Sequence, residues 1–186
     1  MNKKLFSLSD LVQLTGEDKS SLSVQLTRLV KSNVLSRAAQ FWYVNPFSIP
    51  SAEEVSMVIR FPCYLSMEYA LSKNGVLSQA AQTLTLVTTK LPYTYESDDV
   101  VYEYHQISSS LFWGYKKSGM VLTAESEKAF LDFIYIRCVC NKALNFKGLS
   151  SFINDMDLSD MDLDRLHKYA ARFSPGTRKV LSLLKI

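Results

Sequence analysis

The stretch YEYHQISSSLFWGY, residues 102–115, sets His105 among five aromatic rings and places Ser108, Ser109 and Ser110 directly behind it. A histidine titrates near neutrality and can take a proton from a hydroxyl, provided a third group orients the ring. These serines lack the flanking glycines of a strand-to-helix nucleophile turn. On an alternating strand Tyr102, Tyr104 and Gln106 share one side, while Glu103, His105 and Ile107 share the other. A half-buried histidine in a β-strand fits this pattern better than a catalytic base.

Two other clusters bear on chemistry. AESEK (124–128) has the residue types of a nuclease carboxylate–lysine motif, but Glu127 and Lys128 are neighbours and would point oppositely on a strand. At the start of a helix the carboxylates would instead complement the helix dipole. Cys63, Cys138 and Cys140 form no disulfide framework, and a C-x-C pair suits a zinc site poorly. They read as buried thiols, two of them on an apolar helix. No glycine-rich phosphate loop occurs. These residues assemble no pair of tuned acid–base groups, so neither enzymatic activity, cofactor nor metal is expected.

The elements that must position these residues begin with a basic head. In residues 1–47 Lys3, Lys4, Lys19, Arg28, Lys31 and Arg37 face only Asp10, Glu17 and Asp18, and residues 48–186 balance. The chain's formal excess of +3 therefore sits in its first quarter, a pointer to nucleic-acid binding. Ser9 can cap a helix to Leu14, closed by Gly16. Asp18 or Ser20 can cap a longer one to about Ser32, with Leu22, Leu26, Leu29 and Val30 as its apolar stripe. The runs VLSR and FWYV, separated by Ala38, Ala39 and Gln40, then read as a β-ribbon. Helix, turn, helix, ribbon is the order of a winged helix-turn-helix; with only Met1–Leu5 available here for a preceding helix, the head is expected to be reduced or to start upstream. Opposite the stripe lie Ser20, Val24, Thr27, Arg28 and Lys31, with Ser21 beside them; Arg37 and Gln40 fall on the wing. Short hydroxyls allow close approach to base edges, and the cations reach guanine or phosphate. The alternative is a solvated helix face on a protein-interaction module.

After a connector at 45–54, the region 51–186 reads as a second domain of α+β class, with antiparallel strands flanked by helices. SMEYALSKNG (66–75) is an amphipathic helix capped by Ser66, and QTLTLVTTK (82–90), VVYEYHQI (100–107) and SLFWGY (110–115) are strand-like. A long helix begins at about Ser126, and two basic amphipathic helices, LDRLHKYAARF and TRKVLSLLKI, end the chain. No segment has the roughly 18 uninterrupted apolar residues of a membrane span. The N-terminal lysines precede no apolar signal core. A cytoplasmic location is expected.

Taken together, PCYLSMEYALSKNGVL, TLVTTK, YEYHQISSSLFWGY and TAESEKAFLDFIYI resemble, in order and spacing, the AbiE-type antitoxins of bacterial abortive-infection and toxin–antitoxin operons. The resemblance runs from about Ser7 to the end. It implies a non-enzymatic protein whose N-terminal winged helix (1–47) represses its own operon by binding operator duplex DNA. The C-terminal domain (51–186) would antagonise a cognate nucleotidyltransferase-like toxin of a type IV system, in which antagonism need not involve a stable complex. By position the signature falls on Pro62, Ser66, Ala70, Leu71, Gly75, Thr88, Lys90, Tyr104, His105, Gly114, Tyr115, Glu127, Lys128, Ala129 and Asp132. Of these, Lys90, Tyr104, His105, Tyr115 and Lys128 are the expected contributors to antitoxin function.

Overall fold

The computed structural model describes residues 3–97, 99–141 and 144–185. They form two compact units, residues 1–61 and 62–186. Both mix helices with strands, and the fold class is α+β.

The first unit runs β1 (Leu5–Ser7), α1 (Leu8–Thr15), α2 (Lys19–Lys31), β2 (Arg37–Ala39), β3 (Trp42–Val44) and α3 (Ala52–Ile59). The residues just before α1 are a strand: β1 pairs antiparallel with β3, giving the sheet order β1-β3-β2. The cap of α1 is Ser7, not Ser9. Its hydroxyl accepts from Asp10 N while Asp10 Oδ2 accepts from Ser7 N at 2.7 Å, a reciprocal box that satisfies two orphan donors. Gly16, at φ 72°, ends the helix as expected. Leu22 and Leu26 of α2 bury against Leu8 and Tyr43, with Val30 at the margin; each such leucine is worth about 1.5–3 kcal/mol. Leu29, by contrast, is 40% exposed and drops out of the stripe. The ribbon strands also shift: Ala38 and Ala39, read as a separator, are in β2. The connector at 45–54 is no boundary either. Ser51 and Glu54 form a second capping box, α3 packs on β2, and Lys4 Nζ donates to Glu54 at 2.9 Å. The division falls after Phe61.

The second unit holds β4 (Cys63–Leu65), α4 (Met67–Lys73), β5 (Thr83–Thr88), β6 (Tyr93–Ser97), β7 (Val100–Gln106), β8 (Tyr115–Ser118) and β9 (Val121–Ala124). Helix α5 (Ser126–Phe133) follows and continues as a π-helix over Ile134–Cys140. Then come α6 (Phe146–Asn154), α7 (Leu163–Ala170) and α8 (Pro175–Leu184). The sheet order is β6-β7-β5-β4-β9-β8. It is mixed rather than antiparallel throughout, because β5 runs parallel to β7 and β4 parallel to β9. SLFWGY is mostly not a strand: Ser109–Leu111 is a 3-10 turn, and only Tyr115 enters β8. The principal core lies where α4, α5 and α7 meet, with Tyr64, Leu71, Val87, Phe130, Ile134 and Leu166 at its centre.

Candidate functional site

On the head, α2 presents Ser20, Ser21, Arg28 and Lys31 exposed, with Val24 52% exposed. Thr27 is half-buried, and its hydroxyl donates to Ser23 O at 2.8 Å, so it offers only its methyl and a lone pair outward. Arg37 and Gln40 are exposed on the hairpin, the Arg37 guanidinium 5.7 Å over the Tyr43 ring. Asp18 adds something that composition could not reveal. Its carboxylate accepts from Ser20 N at 2.9 Å and Ser21 N at 3.2 Å. The Ser20 hydroxyl and these backbone donors hold its pKa below the usual carboxylate value. The Asp18 carboxylate thus occupies the Ser20 and Ser21 N–H groups beside exposed Lys19, the first residue of α2, while Arg28 and Lys31 make the last turn cationic.

In the second unit the sequence-derived residues separate by burial. Lys90 is exposed and Tyr115 half-buried, stacked on Tyr64 at 4.9 Å. Tyr104 and Lys128 are buried, which makes them packing residues rather than surface contacts. Lys128 is the centre of a sealed polar network. Its ammonium pairs with Asp132 one turn on and donates to Tyr64 Oη at 2.8 Å. Tyr64 Oη and Ser66 Oγ in turn donate to Asp132 Oδ2 at 2.9 and 2.8 Å. Rings of Trp113 and Phe173 lie 5.2 and 5.1 Å from Nζ. Burial lowers the Lys128 pKa and raises that of Asp132, and each partner's charge pulls the other back.

This network explains several signature positions. Ser66 spends its hydroxyl on Asp132 and gives no side-chain cap to α4. The Thr85 hydroxyl takes that role across the sheet, accepting from Tyr69 N at 3.0 Å and donating to Ser66 O at 2.7 Å. Gly114, at φ 76°, lets the chain pass over the lysine stem: a Cβ there would meet Lys128 Cγ at 2.9 Å. Glu127 is buried and accepts from Asp162 N at 3.0 Å, tying α5 to the start of α7.

His105 belongs to a second cluster. Its Nε2 lies 3.4 Å from Glu103 Oε2, and Arg137 of the π-helix bridges Glu103 at 3.6 Å and Glu68 at 2.9 Å. Glu68 and Arg137 were not singled out by sequence, being 69 residues apart and each unremarkable alone. The serines expected behind His105 turn elsewhere, Ser108 to Ser110 at 2.9 Å. A cleft of about 430 Å³ opens beside His105 between the end of β7 and the π-helix, lined also by Pro92, Tyr135 and Asn141. Burial, and then the Arg137 charge, push the His105 pKa below its ordinary value, against the opposing pull of Glu103 and Glu68. In the unfolded chain His105 takes a proton near pH 6.5, and in the folded chain only at lower pH. Stability from this residue is present above 6.5 and is lost as pH falls through the window below it. Acidification from pH 7.5 to 5.5 will therefore lower the urea midpoint of the wild type more than that of His105→Gln. Identical pH dependence of the two would show that His105 carries no such linkage.

Cys63 is buried, which raises its thiol pKa to about 12, but Cys138 is half-buried and Cys140 exposed, so the thiols are not uniformly interior. No group of three or more potential ligands that could hold a metal occurs among the described residues. No described helix is long and apolar enough to cross a membrane.

Compared with known proteins, the chain matches no family model and no curated protein.

Proposed function

We propose that the protein is a DNA-binding autorepressor and the antitoxin of a nucleotidyltransferase-like toxin encoded beside it. On this reading the first unit is a reduced winged helix-turn-helix and the protein works in the cytoplasm. The observation that carries the DNA half is the exposed polar face of α2, with Arg28 and Lys31 in its last turn, next in sequence to a short hairpin whose strand β3 pairs back onto β1. That order and pairing suit a wing and a helix that enters the major groove. The antitoxin half rests on the body stretches that resemble AbiE-type antitoxins, several of which build the Lys128 network. The reading assigns no catalytic step to the protein, and its Lys128–Asp132 pair is sealed from solvent.

The second reading, a protein-interaction module without DNA binding, draws on the exposed Val24 and Leu29 and the Asp18 carboxylate that caps α2. One experiment separates them. The full chain, co-expressed with the neighbouring toxin, is expected to restore growth, and the purified chain to retard a fragment of its own promoter. Rescue without retardation favours the interaction module. Failure of both overturns the proposal.

A further inference from the structure

The hairpin tip carries a residue that the turn itself does not want. Between β2 and β3 the turn residues are Gln40 and Phe41, with Ala39 opposite Trp42. Phe41 sits at φ 63°, the left-handed region that such turns reserve for glycine or asparagine. Its ring is nevertheless 50% exposed. Half of the residue thus lies in solvent while its backbone holds a conformation that an aromatic residue disfavours. The backbone is held there from outside: Phe41 O accepts from Leu8 N, at the start of α1, at 2.8 Å. Exposed Gln40 precedes it in the turn, and exposed Arg37 lies in β2 with its guanidinium over the Tyr43 ring. Strain of this kind persists where neighbouring structure enforces it, and it concentrates at functional positions.

We infer that Phe41 is a wedge that enters the minor groove of duplex DNA and bends it, an inference that rests on the DNA-binding reading proposed above. Minor-groove proteins insert apolar side chains of this size between base steps, and the kink brings more of the duplex onto the protein. Pyrimidine–purine steps unstack most readily, so the ring will enter at a TA or CA/TG step beside the bases read by α2. Arg37, in β2 of the same hairpin, supplies a cation that suits a groove of high negative potential. The left-handed backbone projects the ring from a tip held to the start of α1, so the aromatic is presented without a flexible loop.

The test uses the full chain, a promoter fragment labelled for end-to-end energy transfer, and the variants Phe41→Ala, Phe41→Gly and Phe41→Trp. Phe41→Ala and Phe41→Gly are expected to bind about tenfold more weakly, the cost of one lost aromatic–base stack, and to leave the DNA nearly straight. Phe41→Gly should also raise the melting temperature, because it relieves the backbone; this separates lost binding from lost folding. Phe41→Trp should keep the bend. If Phe41→Ala and Phe41→Gly bind and bend DNA as the wild type does, while Arg28→Ala/Lys31→Ala weakens binding, the wedge is wrong and the DNA-binding reading stands. If the wild type binds no promoter fragment, both fall.

Discussion

Replacing Lys128 by alanine will destabilise the second unit by about 3–5 kcal/mol, the usual cost of leaving half of a buried ion pair behind. Asp132 is fully buried, and without the ammonium it keeps only the hydroxyls of Tyr64 and Ser66 as donors. The variant must either bury an anion nearly bare or protonate it. Loss of the stem also opens a cavity beneath Trp113 and Phe173. Urea denaturation followed by circular dichroism measures the loss. The double variant Lys128→Met/Asp132→Leu is the informative companion, since exchanging a buried pair for apolar residues of similar volume is often neutral or better. Recovery of most of the lost stability in the double variant would assign the network to packing specificity. A single variant as stable as wild type would mean that the pair contributes nothing.

The same network marks where reading along the chain stops. Helix α2 was legible because its signals are local: an Asp18 cap, leucines at helical spacing, and Asn33 in a left-handed conformation just beyond it. The cap of α1 was misplaced by two residues because Ser7 and Ser9 both offer a hydroxyl there. Only the reciprocal bond from Asp10 distinguishes them, and it selects Ser7. Strand β1 was missed because three residues carry no period of their own, and its reason for being a strand is β3, whose partner residues lie 42–44.

Long-range chemistry is harder still. Ser66 looks like a helix cap in sequence, yet its hydroxyl is claimed by Asp132 and the cap is supplied by Thr85. Lys128 looks like a surface lysine at a helix start, but it is buried because Gly114 lets the chain pass directly over its stem. The alternation of β7 places Glu103 and His105 on one side and Tyr102 and Tyr104 on the other. Nothing in that alternation announces Arg137, which reaches both Glu103 and Glu68 from a π-helical turn. The parallel pairing of β5 with β7 also has no local signature, since β6 lies between them in sequence and at the sheet edge in space.

On the head, Arg28→Ala/Lys31→Ala is expected to weaken promoter binding by about a hundredfold at physiological salt, at 1–3 kcal/mol for each contact to a base edge or phosphate. It should also reduce the slope of log affinity against log salt by about two. Two of the cations of α2, Arg28 and Lys31, gather in its last turn, and Lys19 stands at its start. Asp18 occupies the amides at the N-terminal end and stays ionised, so no phosphate can replace it there without losing two backbone bonds. On the proposed reading, phosphate neutralisation by α2 comes chiefly from the last turn, where Arg28 and Lys31 are exposed, with Lys19 at the opposite end. Ser21 and Val24 are left to read base edges, and Ser20, whose hydroxyl donates to Asp18, can only accept. Asp18→Ser is the complementary variant: it keeps a capping oxygen but removes the charge, and should raise affinity for unrelated duplexes as much as for the promoter. Titrations at several salt concentrations, with promoter and scrambled fragments side by side, measure both effects. An unchanged salt slope in the double variant would mean that DNA, if bound, docks on another face, and the assignment of α2 as the recognition helix would be lost.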